Sequence, residues 1–377
     1  MRSRAIAAAC AASLFLISPP ARAAGPAAGS SEEVDLLTKL LLAYGVSGHE
    51  AGVRDAVLAE FPDWAKKSAK TDAMGNLTVT VGSGAPSVLY VAHMDEIGYV
   101  VTNIREDGMI QVQKFGGFYD WQYEGQVVLI HTAAAGDVSG VVVMPSTHLR
   151  RDAADKPADF TVDNILIDTG TPSRKETEAL GIALLDPITI RKSVTKLAGT
   201  RLAARSMDDR FGCAAILAVV RRLKPADVKG TVTFAWSVQE EVGLRGAEAI
   251  AHGVSPDVVI AVDSFVTSDS PIESKRLAFA PIGAGPMIRA LDTSYIAPIA
   301  SVRALMQFAK GKGLALGYGA TMGGNDGSVF HDPKSKVVPL SIPIRYSHSA
   351  IETIDTRDQV GLVNLIDAMV RETSWIQ

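Results

Sequence analysis

The sequence predicts an α/β protein with a mostly parallel sheet, interrupted by a small inserted β-barrel. Continuous apolar runs such as Ser87–Ala92 are typical of strands that are buried on both faces. Strand and helix patterns alternate after about residue 190, which favours a parallel sheet. Short apolar runs separated by Gly, Asp and Thr fill residues 97–190 and indicate β-strands. We therefore expect an α/β domain over residues 30–96 and 191–377 and an inserted β-rich domain over residues 97–190.

The α/β part divides into recognisable elements. Ser30 and Glu33 have the spacing of a capping box before an apolar-periodic helix, and a turn is predicted at Asp72–Asn76. Further helices are predicted at residues 49–60, 209–223, 243–252, 302–310 and 357–373, and further strands at 77–81, 231–238 and 258–262. In the inserted part, strands are predicted at 99–104, 109–115, 126–131, 139–144, 164–168 and 188–191, with a short helix near 174–180.

The first 23 residues have the features of a signal peptide. Arg2 and Arg4 precede an apolar run over residues 5–17, and Ala21-Arg22-Ala23 offers a cleavage site before Ala24. The run is shorter than the ~20 residues of a membrane span, although an uncleaved anchor is the alternative. The sequence therefore predicts a periplasmic or secreted protein, with no membrane attachment after cleavage near Ala23.

Composition excludes other classes of protein. Hydrophobic residues make up 47% of the 377-residue chain and charged residues 21%, as in globular proteins. Removal of the leader with its three arginines changes the formal net charge from −4 to −7, and no basic run remains that would suit nucleic acid. Cys213 is the one cysteine beyond that leader, so we expect no internal disulfide and interpret it as a buried apolar residue.

Five short segments carry side chains that bind divalent metals. They are Ala92–Glu96, Met207–Arg210, Gln239–Gly243, Val262–Ser264 and Ser347–Ser349. Imidazole and carboxylate groups are the ligands that such metals prefer at neutral pH. Two metals about 3.5–4 Å apart need a shared carboxylate between them and further ligands on each side. Each segment alone has an ordinary interpretation, such as a helix cap or loop polarity, but together they predict a two-metal site.

The predicted roles follow from local context. His93 ends a strand, and Asp95 can accept the second N–H of its ring. Asp208 and Asp209 head a helix, and we interpret Asp208 as the bridging carboxylate with Asp209 supporting it. Asp263 follows the next buried strand and can serve as a terminal ligand.

Two neighbouring glutamates follow the buried strand at 231–238. Such a pair is costly at a buried position unless positive charge compensates it. We assign Glu241 as a metal ligand and Glu240 as the general base that takes a proton from water. His348, between two serines, is the second candidate imidazole ligand, whereas the remaining five histidines lack a comparable context.

These segments resemble those of the tetrahedral, or glutamyl-type, aminopeptidases, some of which are called endoglucanase M or deblocking aminopeptidase. Residues 92–98, 208–212 and 238–247 match the family's blocks nearly throughout, and the resemblance extends over the chain beyond the leader. It implies an α/β catalytic domain, a β-rich domain used in assembly, and a homo-oligomer between a dimer and a dodecamer.

The resemblance also implies a ligand set. One metal would be bound by His93, Asp208 and Asp263, and the other by Asp208, Glu241 and His348. Zinc is the expected metal, with cobalt or manganese as alternatives. A cis peptide bond at the paired aspartates, 208–209, is expected as well.

The sequence departs from the family pattern in two places. The loop Gly324-Asn325-Asp326-Gly327 stands where the family has a Gly-Thr-Asp-Ala-like sequence. Because that loop lies near the substrate in the family, we assign substrate-binding roles to Asn325 and Asp326. The leader is the second departure, since members of the family are mostly intracellular.

The sequence thus predicts a metal-dependent aminopeptidase that hydrolyses N-terminal residues of peptides, with a metal-activated water and Glu240 as base. The first alternative is a glycoside hydrolase, which needs two carboxylates around a sugar ring and benefits from aromatic residues. Aromatic content is only 6%, and the histidines would then have no role. The second alternative is a non-catalytic relative that binds peptides.

Overall fold

The computed structural model describes residues 31–149, 161–277 and 279–376. The proposed signal peptide and Ser30 of the capping box lie outside these residues. The α-helices are α1 (Ser31–Leu42), α2 (Ala51–Ala59), α3 (Asp63–Ser68), α4 (Arg174–Ala179), α5 (Met207–Arg222), α6 (Arg245–Gly253), α7 (Ile299–Gly311) and α8 (Thr356–Arg371). Among the described residues, no helix is both long and apolar enough to cross a membrane.

The strands in the described part of the chain group into one large sheet, a barrel and three small sheets. They are β1 (Ala69–Thr71), β2 (Leu77–Gly82), β3 (Ser87–His93), β4 (Gly98–Ile104), β5 (Ile110–Phe115), β6 (Val127–Thr132), β7 (Gly136–Val142), β8 (Leu166–Asp168), β9 (Pro187–Ile190), β10 (Val194–Lys196), β11 (Arg201–Ala204), β12 (Thr231–Ser237), β13 (Val258–Ala261), β14 (Phe265–Val266), β15 (Met287–Leu291), β16 (Gly317–Ala320), β17 (Lys336–Val337), β18 (Leu340–Ser341), β19 (Pro343–Ile344) and β20 (Glu352–Asp355).

The large sheet has the strand order β1-β2-β12-β3-β13-β17. Strands β12, β3, β13 and β17 run parallel, while β1 and β2 form an antiparallel edge. Helices α1, α5 and α8 pack on one face in the main apolar core, and α6 packs on the other face. Because both faces are covered, the central strands β3, β12 and β13 are mostly apolar, as the sequence predicted.

The inserted β-barrel is confirmed. It closes in the order β4-β5-β8-β7-β6-β9 and has an apolar core of its own. All six predicted strands are present, with ends shifted by at most three residues, and α4 is the predicted short helix. The small sheets β10-β11-β20, β15-β16-β18 and β14-β19 were not predicted. Their strands are two to five residues long, too short for a periodic pattern.

A buried glutamate connects the barrel to the α/β domain. Glu96 lies between β3 and β4, is 1% exposed, and pairs with Lys192 at 2.7 Å and Arg210 at 3.1 Å. It also accepts hydrogen bonds from the Ser206 hydroxyl and from the Gly45 amide. Burial raises the pKa of Glu96, but the surrounding positive charges outweigh this effect and lower the pKa to about 2.

We expect Glu96→Gln to lower the free energy of unfolding by about 3 kcal/mol at pH 7, because it leaves buried cations uncompensated. A folded-state pKa below the ordinary 4.5 stabilises the protein fully above pH 4.5, and this contribution is lost as the pH falls toward 2. The difference in free energy of unfolding between Glu96→Gln and wild type should therefore become smaller as the pH falls from 4.5 toward 2.

Urea denaturation at fixed protein concentration measures both effects. Glu60→Gln is the matched control, since Glu60 pairs with Lys39 and Arg221 at a more exposed position and should cost less than about 1 kcal/mol. A pH-independent difference for Glu96→Gln would contradict the role of its charge.

Candidate active site

The carboxyl ends of the central strands bring the predicted site residues together. His93 is the last residue of β3, and Asp263 follows β13 by two residues. Glu240 and Glu241 follow β12 after a short turn, and Asp208 stands in the first turn of α5. Since parallel strands end at one edge of a sheet, side chains distant in sequence meet in one cleft.

His93, Asp208 and Asp263 form a buried cluster. Their candidate ligand atoms all lie within 4.8 Å of one another. The His93 Nε2 atom is 3.3 Å from Asp208 Oδ1. Burial opposes the charged form of His93, but contacts with Asp208 and Asp95 raise the pKa of the imidazole well above its ordinary value. The Nδ1 atom of His93 lies 3.5 Å from Asp95 Oδ1 and 3.2 Å from the Asp95 carbonyl oxygen.

His348 stands on the other side of Asp208. Its Nε2 atom is 3.6 Å from Asp208 Oδ2 and 3.4 Å from Glu241 Oε1. The Nδ1 atom lies 2.7 Å from the carbonyl oxygen of Gly117, next to the barrel. Burial alone would raise the pKa of Asp208, but the two imidazoles lower it well below the ordinary value. Asp208 is therefore the carboxylate that lies between the two histidines.

Asp95 organises the pair of glutamates. Its Oδ1 atom accepts the amide of Glu240 at 2.9 Å, and its Oδ2 atom accepts the amide of Glu241 at 3.1 Å and the Ser47 hydroxyl at 2.6 Å. Burial raises the pKa of Glu241 to about 7, and burial with nearby carboxylates raises the pKa of Glu240 well above its ordinary value. Asp95 thus positions the backbone that carries both side chains.

The paired aspartates have the backbone expected from the resemblance. The peptide bond between Asp208 and Asp209 is cis. Asp209 is fully buried, and its Oδ1 atom accepts the amide of Gly212 at 3.1 Å. Its Oδ2 atom has no hydrogen-bond partner within the described ranges.

Asn325 and Asp326 lie within the protein and do not line the cavity around the cluster. The Asn325 side chain accepts the amide of Gly327 at 2.9 Å and donates to Asp292 at 2.8 Å. Asp326 accepts the Ser237 hydroxyl. Gly324, by contrast, lines the cavity, so this loop contributes backbone to the cleft while its two polar side chains hold the loop in place.

The sequence interpretation missed Arg289 and Glu352. Arg289 pairs with Asp263 at 3.0 Å and with Asp292 at 2.9 Å. Glu352 accepts the amides of Asp208 at 3.2 Å and His348 at 2.8 Å. Glu352 lies only four residues after His348, and this proximity to a predicted ligand could have identified it from the sequence. Arg289 belongs to strand β15, which was not predicted, and no sequence feature pointed to it.

The site has the chemistry of a divalent-metal site. Burial raises the pKa of Asp263 to about 6, even though the neighbouring Arg289 lowers it. Several carboxylates thus face one cavity of about 220 Å³, together with the two imidazoles. Like charges at such distances are stable only if a cation lies between them or a proton neutralises one of them. Imidazole and carboxylate ligands suit zinc, cobalt or manganese, so the residues present fit metal binding.

Comparison with known proteins decides the family. The sequence profile described as M42 glutamyl aminopeptidase matches residues 75–365. This chain belongs to the M42 family. The lysyl aminopeptidase of Pyrococcus furiosus is 32% identical to this M42 chain over 347 residues, which cover 90% of this chain and 96% of that protein. The glutamyl aminopeptidase of Lactococcus lactis subsp. cremoris is 29% identical and covers 84% and 89%, respectively.

Solved structures agree with this assignment. The TET1 peptidase of Pyrococcus horikoshii, which assembles into a tetrahedron or a large octahedral shell, is 35% identical with a TM-score of 0.82. The match covers 90% of this chain and 99% of that one. This M42 chain is therefore a peptidase of a metal-dependent family whose structural relatives form large oligomers.

Two expectations from the sequence are corrected or set aside by these relatives. The predicted periplasmic or secreted location is wrong: it depended on the first 23 residues, which lie outside the described residues, and the relatives that match this chain, such as the TET peptidases, give it no support. The glycoside hydrolase alternative is also set aside. An endoglucanase of Thermotoga maritima shares the fold at 24% identity and a TM-score of 0.71, but the family profile and the curated relatives are aminopeptidases.

Proposed function

We propose that this chain is an aminopeptidase that removes N-terminal residues from peptides by means of two bound divalent metals, with Glu240 as general base. The observation that carries this proposal is the position of Asp208 between His93 and His348, with Glu240 on the same cavity. Two imidazoles on opposite sides of one carboxylate suit two neighbouring metals that share this carboxylate.

The metals would be held by the ligands assigned from the sequence. One would be bound by His93, Asp208 and Asp263, and the other by Asp208, Glu241 and His348. Zinc suits this donor set best, and cobalt or manganese also fit. When bound, the pair would lower the pKa of a water molecule and polarise the scissile carbonyl group.

Glu240 is suited to move the proton. Its backbone is fixed by Asp95, and its side chain lines the cavity beside His93 and Asp263. Burial and the carboxylates of Asp263 and Glu241 raise the pKa of its carboxyl group well above the ordinary value, and a higher pKa makes its carboxylate a stronger base. Glu240 therefore accepts the proton of the attacking water and passes it to the leaving amine.

We expect Glu240→Gln to retain metal but to lower kcat by at least about 100-fold, because an amide cannot accept the proton of water. The measurement is steady-state kinetics together with metal analysis of the same sample. Glu248→Gln, an exposed position on α6, is the matched control and should keep its activity. Near-normal kcat in Glu240→Gln would contradict its assignment as base.

The bridging role of Asp208 predicts a difference in metal content. Asp208→Ala should lower the number of metals bound per chain more than Asp263→Ala does, since only Asp208 would contact both ions. Metal content is measured after dialysis against metal-free buffer, with wild type as reference. Equal losses in the two variants would show that Asp208 does not bridge.

The experiment that tests the aminopeptidase proposal compares free and N-acetylated forms of one peptide. A free α-amino group has a pKa of about 7.7–8.0 and is partly cationic at neutral pH, so an acidic cleft attracts it. Acetylation removes that charge, and we expect kcat/KM to fall at least about 10-fold, since a charged hydrogen bond is worth about 1.5–3 kcal/mol.

A C-terminally amidated form of the same peptide is the control and should be cleaved normally. Equal turnover of the acetylated peptide would instead indicate an endopeptidase or a deacylase. Failure to cleave any form, with metal bound, would indicate a non-catalytic relative that binds peptides.

We further propose that the inserted domain over residues 97–190 serves assembly of a homo-oligomer, with residues 30–96 and 191–377 as the catalytic domain. The barrel presents an apolar patch formed by Val127, Val141 and Val143, which are 41%, 42% and 37% exposed. Val127 and Val141 are direct partners in the β6–β7 ladder and share one face. Exposed neighbouring apolar side chains of this kind mark contact surfaces between proteins.

Val141→Glu should therefore yield a smaller particle than wild type, because it places a charge in the patch. Light scattering or analytical ultracentrifugation measures the size. Gln113→Glu, at an exposed position of β5 on the same barrel, is the control. A stable wild-type monomer would refute the role in assembly.

A further inference from the structure

The cleft continues beyond the metal-binding cluster. Val266 and Met322 line both the cavity of about 220 Å³ at the cluster and a second cavity of about 450 Å³. The second cavity lies between the segment that follows β14 and the segment that follows β16. A substrate held at the cluster thus has a side pocket directly beside its reacting bond.

The wall of this side pocket includes three apolar side chains that are open to solvent. Val266, Leu277 and Met322 are 36%, 38% and 55% exposed, respectively. Two of the hydroxyl groups in the lining donate hydrogen bonds to backbone carbonyl oxygens. Thr267 donates to Ala280 at 2.6 Å, and Thr321 donates to Val266 at 2.8 Å. The pocket therefore offers mainly van der Waals contact.

The charged residues around the cleft do not favour a charged substrate side chain. Arg289 lines the cluster cavity but is 2% exposed and engaged by Asp263 and Asp292. It also donates to the carbonyl oxygens of Ser264 and Gly324, at 2.8 and 2.6 Å.

The side pocket itself is lined by one residue of each sign, Glu273 and Arg276, and both are exposed. Their formal charges cancel, and solvent weakens the interaction of each with a bound group. A buried charged side chain would thus lose its hydration without gaining a fixed partner.

We propose that this side pocket receives the side chain of the N-terminal residue and selects uncharged, apolar residues such as leucine, methionine or phenylalanine. The proposal rests on the aminopeptidase function proposed above. It distinguishes this chain from relatives that are named for lysine or glutamate, because those side chains require a fixed opposite charge. The volume of the pocket accommodates a large apolar side chain, so alanine should be a weaker substrate.

The test is a panel of aminoacyl chromogenic substrates with Leu, Met, Phe, Ala, Lys and Glu, assayed on the metal-loaded enzyme. We expect kcat/KM for Leu or Met to exceed that for Lys and for Glu by at least about 10-fold, since burying one large apolar side chain is worth about 1.5–3 kcal/mol. Preference for Lys or Glu would overturn the proposal.

Variants at the wall make the test specific. Met322→Glu should raise the Lys/Leu ratio of kcat/KM by at least about 10-fold, and Met322→Lys should raise the Glu/Leu ratio similarly. Ile272→Glu adds the same charge to the neighbouring loop at an 84% exposed position outside the lining and should leave both ratios within about twofold. Unchanged ratios in both Met322 variants would overturn the proposal.

The outcomes also separate the two proposals. Cleavage of the panel with a charged residue preferred keeps the aminopeptidase function and refutes the apolar selection. Lack of turnover with every substrate, in enzyme that retains metal, refutes the aminopeptidase function and the apolar selection together.

Discussion

The burial of several acidic side chains at one edge of the sheet is the constraint on which the site depends. Asp95, Asp208, Asp263 and the pair at 240–241 all face the same region. Arg289 and the two histidines compensate only part of that charge, and the pKa values of Asp263 and Glu241 remain raised by burial. Such a cluster is stable only if cations enter it or protons bind to it. The excess of negative charge in this chain therefore gives a physical reason for the metal dependence of the family.

Two further carboxylates fix the positions of the acidic residues by accepting hydrogen bonds from backbone amides. Asp95 accepts the amides of Glu240 and Glu241, and Glu352 accepts the amides of Asp208 and His348. Each of these carboxylates fixes two site residues that belong to other elements. Backbone amides supply hydrogen bonds to ionised carboxylates without adding net positive charge. Consequently the site keeps its capacity for metals while its geometry is fixed by contacts that are far apart in sequence.

The sequence predicted the strands that form continuous apolar runs and the polar residues that stand where these runs end. The apolar runs before His93 and Asp263 predicted both the strands and the edge at which their side chains meet. Arg289 could not be predicted, because its role depends on the pairing of β15 with strands from residues 317–341. Glu96 and Lys192 likewise meet only when the barrel returns to the α/β domain. The location was predicted wrongly. That prediction used only the composition of the first 23 residues, which carries no information about the family to which the rest of the chain belongs.

The residues of the metal-binding cluster lie at or near the ends of strands, whereas those of the side pocket lie mainly in connecting segments. His93 and Asp263 are fixed by central strands that are buried on both faces, whereas Met322 and Leu277 belong to connecting segments. A change at Met322 alters a side chain that is 55% exposed at the wall of the pocket, while a change at Asp263 disturbs its ion pair with Arg289 at the strand end. Loops can therefore vary the wall of the side pocket without moving the buried cluster. A pocket wall that varies separately from the cluster is compatible with the names of the relatives, which refer to lysine and to glutamate.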